Sequence, residues 1–377
     1  MNNNKEIKAY AWYFPNWHPT PLNDKWHGKG WTEWECLKNA KPRFEGHICP
    51  RTPLWGYEDE SDPKVFAKKI QAAYDYGING FIFDFYWFKE FGPYRIDAIN
   101  NGFLKAENNE LVEFSIMWPN HDPIYVHPTS YRNTNTSLTW GGIDPQLMYE
   151  VTQYCIDNYF CKPNYQRVDG KMYFGLWNLT RFVNDMGGMD GAAMAIRDFR
   201  YRAKLAGYEI HLAVNCGAAP GFEGGNFEQM NDTLKKLTID SVFQYSWKVP
   251  ESTEWPKVEY SDFRELNLGR FEELTKLYDI PFDTAVSTGW DCNPRTVQSD
   301  GYDKECGYPY SGIVINNTPE EVEKSFEGAK KFLESEKSTS NMLTISTWNE
   351  WTEGNFMEPD NIYGYGYLEA FKKVFRK

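Results

Sequence analysis

The sequence predicts one α/β domain spanning residues 1–377, a (β/α)8 barrel with long βα loops. Eight short runs rich in β-branched and aromatic residues are spaced along the chain, and most are followed by a helix-compatible segment. No Pro/Gly/Ser-rich linker or low-complexity stretch breaks the alternation. A doubly wound open sheet is the structural alternative, but no G-x-G-x-x-G or P-loop follows any of these runs.

In chain order the expected strands cover residues 7–13, 80–86, 112–118, 171–177, 209–215, 240–246, 282–288 and 342–348. Between them the pattern predicts helices over 62–76, about 93–107, 144–160, 190–206, 227–237, 262–279 and 318–335, with a final amphipathic piece, YLEAFKKVFRK. Two of these open on recognisable caps: Ser61-Asp62-Pro63, and Thr318 followed by Pro319 and Glu320. The longest connections, 14–61, 119–143, 216–226, 247–261 and 289–317, all follow strands. That is the end of a barrel where active sites are built.

Composition narrows the function. With 40 basic and 53 acidic residues the net charge is -13, so no general attraction to phosphate backbones exists and nucleic acid is excluded as an expected partner. Aromatic residues make up 17 %, with 15 Trp and 25 Tyr. Yet mean hydropathy is -0.66 and no apolar run is long enough to span a membrane. Rings in excess of core needs suit a groove that stacks on the C–H faces of sugars, so carbohydrate is the expected ligand. The seven cysteines form no C-x-x-C pair and read as reduced structural thiols. The chain begins without an apolar signal segment, which favours the cytoplasm; behind an export signal the same chain would be periplasmic or surface-exposed. The six histidines lack an H-E-x-x-H arrangement and no acidic run matches a calcium loop, so neither metal nor other cofactor is expected. Nor is there a G-x-S-x-G elbow or an activated cysteine.

The chemistry is expected at the end of the eighth strand, in STWNEWTEGNFMEPD (346–360). Strand alternation extended through this segment puts Thr344, Ser346, Trp348 and Glu350 toward the barrel axis, and Glu353 follows in a turn ended by Gly354. Two carboxyls at that rim could divide acid and base work across one glycosidic bond, with Trp348 and Trp351 excluding water. The plainer reading leaves Glu353 capping a short helix and Glu350 paired with an arginine. Asp84 and Tyr86 share a face of the second strand, and Trp118, Asn120, Tyr245, Trp290 and Asp291 lie at or just past other strand ends. Tyr13, Trp31, Asn349 and Trp351 complete the candidate sugar-binding set.

Four blocks then carry a specific resemblance: GWTEWECLKNAKPRFEGHICPRTPLWGYEDESDP (30–63), YGINGFIFDFYWF (76–88), GWDCNPR (289–295) and STWNEWTEGNFMEPDNIYGYGYLEA (346–370). The chain resembles the WbsX-like proteins of polysaccharide gene clusters, relatives of glycoside hydrolase family 99. The resemblance implies a (β/α)8 barrel and retaining action on glycosidic bonds through a 1,2-anhydro sugar, with Glu350 as the base on the 2-hydroxyl and Glu353 as the acid/base. Thr352 stands where family 99 endo-mannosidases carry His, and Asn355, Phe356 and Met357 also differ, so α-mannoside specificity does not carry over. Phe85 stands where many WbsX-like proteins have His. Two alternatives accompany the hydrolase: a glycosyltransferase of surface-polysaccharide assembly, for which no nucleotide-diphosphate cradle is evident, and a non-catalytic carbohydrate-binding barrel.

Overall fold

Strand-forming residues in these eight runs close a barrel. In the computed structural model, which describes residues 6–125, 127–133 and 136–376, they form β1 (Lys8–Tyr13), β2 (Gly80–Asp84), β3 (Glu113–Trp118), β4 (Lys171–Leu176), β5 (Ile210–Asn215), β6 (Ser241–Phe243), β7 (Phe282–Ser287) and β8 (Met342–Ser346). Every neighbouring pair is parallel, in sequence order, and β8 closes on β1 with Lys8 opposite Met342.

Parallel strands need crossovers, and helices α1 (Pro63–Tyr76), α2 (Pro145–Asn158), α3 (Met189–Leu205), α4 (Phe227–Lys236), α5 (Tyr260–Leu277) and α6 (Pro319–Leu333) supply them, with α7 (Gly366–Phe375) closing the chain. The expected caps form: Asp62 accepts from the Lys64 N–H at 2.8 Å and Thr318 from that of Glu321 at 3.4 Å, each contributing about 1 kcal/mol. No helix among the described residues is long and apolar enough to cross a membrane.

Three local expectations are corrected. The helix expected over 93–107 is a π turn, Ala98–Gly102, running into a 3₁₀ turn, Phe103–Lys105. Gly102 packs tightly here: a Cβ would stand 2.1 Å from the Glu60 carbonyl oxygen, just before α1, and 2.4 Å from the Phe66 ring of α1. The run 80–86 divides, because past Asp84 residues Tyr86–Phe88 turn back to pair with Gly92–Tyr94. Within the first connection, two unforeseen short helices, Pro21–His27 and Trp34–Asn39, fold back over the C-terminal rim.

Alternation sorts the core into two layers. Tyr10, Trp12, Ile82, Met117, Tyr173 and Phe243 fill the barrel interior. Their neighbours Ala9, Ala11, Tyr13, Phe81, Phe83, Ile116 and Trp118 face outward against the helices. Tyr13 and Trp118 are therefore out of step with the axis, although both end their strands at the C-terminal rim.

Candidate active site

The chain leaves β8 at Ser346, and regular alternation stops there. Trp348 turns into the outer layer, 5.0 Å from the Phe81 ring, with its indole N–H donated to Glu358 at 2.9 Å. It does not face the axis as extended alternation predicts. Asn349–Glu350 instead pairs antiparallel with Asn355–Phe356, and Trp351–Glu353 forms the 3₁₀ turn between them. Gly354, at φ +61°, completes this hairpin; a Cβ there would sit 2.7 Å from that of Asp291, so the turn can press against the loop after β7 only with glycine. The hairpin delivers Glu350 (5 % exposed) and Glu353 (7 %) to a single cavity of about 440 Å³ at the C-terminal rim. Seven Phe, Tyr and Trp rings line it: Phe14, Tyr86, Tyr94, Trp177, Tyr245, Trp290 and Tyr308.

Arg295, from the loop after β7, holds the acids in place. Its guanidinium donates to Glu350 at 3.2 Å and to Glu353, and meets Glu33 of the first connection at 2.8 and 2.9 Å. Thr352 donates to Glu33 and accepts from Arg295 Nε at 2.9 Å, which ties the turn itself to the cluster. Glu33 also accepts from Asn16 at 2.6 Å, and His127 Nε2 lies 3.2 Å from it. Burial opposes charge on Glu33, but Arg295 and His127 outweigh it and hold this carboxyl well below the usual range. The two rim acids move the other way. Burial raises both above the ordinary carboxylate value; repulsion from Glu353 adds to the rise on Glu350, while Arg295 restrains both.

Tyrosines complete the proton-handling groups. Burial first, then the neighbouring acids, keep Tyr245 protonated, and its O–H lies 2.9 Å from Glu350 and 3.2 Å from Asp84. Burial pushes Asp84 up to about 8, so it holds a proton at neutral pH, and its Oδ1 is buried without a hydrogen-bond partner. Tyr308 donates to Glu353 at 2.8 Å.

Of the expected sugar-binding residues, Asp84, Tyr86, Tyr245 and Trp290 share the cavity with the two glutamates. Trp31 sits one ring behind it, against His127 at 5.3 Å between centroids. The others serve packing. Tyr13 donates to Glu60 at 2.8 Å and stacks on Phe66 of α1. Trp118 is enclosed in the outer layer, and Asn120 exchanges hydrogen bonds with Asn178 at 2.7 and 2.9 Å. Asn349 clamps both backbone groups of Phe14, at 2.8 and 3.0 Å. Trp351 stacks on Phe356 at 3.8 Å and donates to Glu358, so one carboxylate, also paired with Lys69 of α1, fixes both indoles of the segment. Phe85 lies in the outer layer too.

Asp291 faces a neighbouring cleft behind the Glu353 turn. There His47, Cys49 and Asp291 bring metal-type ligand atoms within 4.8 Å of one another. The arrangement does not suit a cation: His47 Nδ1 accepts the Arg43 N–H at 3.1 Å, so Nε2 carries the proton and donates to Asp291 at 2.9 Å, while burial drives the Cys49 thiol up. Residues the sequence reading passed over are Glu33, Arg95, His127, Arg295 and Tyr308. Glu33 and Arg295 stand inside two of the blocks that carry the resemblance, and that was their only signal.

Comparison with solved structures agrees with this architecture. The GH99 endo-alpha-mannosidase from Bacteroides thetaiotaomicron superposes with a TM-score of 0.59 at 14 % identity, covering 97 % of this chain and 95 % of that one. A glycoside hydrolase-like protein gives 0.60 at 16 % identity over 100 % and 96 %. At these identities the likeness establishes the fold. Among curated proteins, the uncharacterized protein WxcX of Xanthomonas campestris pv. campestris is 25 % identical over 97 % of this chain and 49 % of its own length, so the chain spans about half of the curated relatives it matches. The profile of the family described as "Glycosyltransferase WbsX" matches residues 9–371, and the chain belongs to that family.

Proposed function

We propose that the protein is a glycoside hydrolase that cleaves a complex poly- or oligosaccharide with retention. The observation that carries this reading is the pair Glu350 and Glu353 on one ring-lined cavity, bridged by Arg295. Following the resemblance, Glu350 takes the proton of the sugar 2-hydroxyl as its oxygen attacks the anomeric carbon, and Glu353 gives a proton to the departing oxygen. The 1,2-anhydro sugar then opens when Glu353 removes a proton from water and Glu350 returns one to O2. Both carboxyls must hold a proton at one stage and release it at another, which suits their raised pKa values. The two carboxyls lie close enough to titrate as a pair, and the first step requires the shared proton on Glu353. Asp84 Oδ1, which has no protein partner, would carry the proton and donate it to a sugar oxygen.

The test is a glycan panel with wild type, Glu350→Gln and Glu353→Gln. Each substitution should lower turnover by about 10²- to 10⁴-fold. An activated aryl leaving group, which needs no proton, should restore the first step for Glu353→Gln alone; rescue of Glu350→Gln instead would exchange the two roles, and cleavage indifferent to both would end the proposal. The family description favours a second reading, transfer from a sugar nucleotide. Stabilisation by sugar nucleotides in a thermal-shift screen, with no glycan cleavage, would select it.

A further inference from the structure

Two arginines among the described residues keep less than a tenth of their surface exposed, Arg95 and Arg295. Arg295 is met by three carboxylates. Arg95 lines the same cavity, is 8 % exposed, and has no carboxylate within ion-pair distance among the described residues; its Nε is buried with no hydrogen-bond partner. Aromatic rings hold it instead. The guanidinium carbon stands 4.4 Å from the Tyr94 centroid, 4.9 Å from Tyr86 and 5.0 Å from Phe14. Stacking of this kind fixes the plane of a guanidinium and leaves its N–H edges for an acceptor.

The backbone adds an independent sign. Arg95 follows the Gly92–Tyr94 strand at φ +63°, in a left-handed conformation that non-glycine residues adopt only under strain. The chain accepts strain here to turn this side chain inward. Burying a cation without a counter-ion is costly as well, and a bound anion would remove that cost. Phe14 fixes where the anion would sit, because its ring packs on Arg95 and, at 5.4 Å, on Arg295. The anion would lie one ring away from the guanidinium that grips the two glutamates. Glu33 and Asp84 lie close enough to feel the Arg95 charge, but no acid pairs with it directly: Glu33, Glu350 and Glu353 are engaged by Arg295, Asp122 by Arg181, and Asp84 holds a proton at neutral pH.

We infer that Arg95 is an anion subsite and that the sugar drawn into this cavity, or its immediate neighbour, carries an ionised substituent: a hexuronate carboxylate, or a sulfate or phosphate ester. The inference deepens the glycoside-processing reading and rests on it. The guanidinium fork supplies two parallel N–H donors to such a group, and the three rings exclude water from the pair.

Binding of matched glycan pairs tests this without turnover. Uronate-containing, sulfated and phosphorylated oligosaccharides are compared with their carboxyl-reduced, desulfated and dephosphorylated counterparts on wild type, Arg95→Met and Arg95→Lys. One acidic class should bind wild type at least about 10-fold more tightly than its neutral counterpart, the preference should vanish in Arg95→Met, and it should shrink without vanishing in Arg95→Lys, which keeps the charge and loses the fork. The class that binds identifies the substituent. Equal binding of acidic and neutral partners, no binding of any acidic class, or a preference that persists in Arg95→Met overturns the inference. So does Arg95-dependent binding confined to sugar nucleotides, which assigns the cation to a diphosphate. Melting curves check the fold of the variants; should Arg95→Met not fold, Arg95→Gln, which also removes the charge, takes its place. The two proposals fail separately: an acidic glycan bound through Arg95 but never cleaved refutes hydrolysis alone, whereas a neutral glycan cleaved equally by wild type and Arg95→Met refutes the subsite alone.

Discussion

Replacing Arg295 with methionine keeps the side-chain volume close and deletes one charge from the centre of the acid cluster. Glu33, Glu350 and Glu353 all rest on that guanidinium, and Arg295 itself is 4 % exposed. Removing one partner of a buried ion pair costs about 3–5 kcal/mol. At about 2.1 cal/mol/K per residue, 377 residues unfold with roughly 0.8 kcal/mol/K, so Tm should fall by about 4–6 °C at pH 7. The pH dependence is more telling than the size. Glu33 has its folded pKa depressed, so its contribution is present above the unfolded value near 4.3 and is lost as pH falls through the folded one. Without Arg295, burial dominates and raises all three acids, so the variant loses stability as pH climbs through the acid range. The gap from wild type should be widest at neutral pH and narrow toward pH 4, read by thermal melts across that range. A gap below about 1 kcal/mol, the scale of an exposed pair, or one that does not change with pH would refute the hub assigned to Arg295.

Two further outcomes follow from the tyrosine and aspartate beside the pair. Tyr245→Phe removes an O–H that lowers the pKa of Glu350, so the acidic limb of kcat/KM should move to higher pH with about a 10- to 100-fold loss at neutral pH; an unmoved limb separates Tyr245 from Glu350. Asp84→Asn resembles the protonated carboxyl. Between the unfolded value near 3.9 and about 8, wild type holds a proton on Asp84 when folded and not when unfolded, so its stability declines with rising pH there. The variant escapes this decline, and its advantage in Tm should grow from pH 4 to 8 and then level; a difference independent of pH would place Asp84 in an ordinary ionised state.

Strands and most helices were legible because burial on both faces of a parallel barrel demands apolar runs such as GFIFD and EFSIMW, and because caps such as Asp62-Pro63 are local. Strand ends were less so. Tyr13 and Trp118 sit at the correct rim but on the wrong parity, which only the register to neighbouring strands fixes. Trp348 misled because the departure from β8 breaks the alternation at Ser346. The hairpin Tyr86–Tyr94 and the turn at Gly102 depend on contacts with α1 and the first connection, far away in sequence. Glu33, Arg95, Arg295 and Tyr308 are single side chains in irregular loops, where no period marks them; their meaning arises only where those loops converge.

The clamp between Asn349 and Phe14 joins positions 335 apart, and Arg295 reaches Glu33 across 262. Contacts so distant along the chain can form only once both ends of the barrel sequence have been made and brought together. A ribosome-bound intermediate therefore carries isolated charges rather than a working centre, and competence arrives when the first and last staves of the barrel meet. Loosening that seam, by a nick or by strain at either stave, should disperse the charge cluster around Arg295 before the rest of the molecule melts.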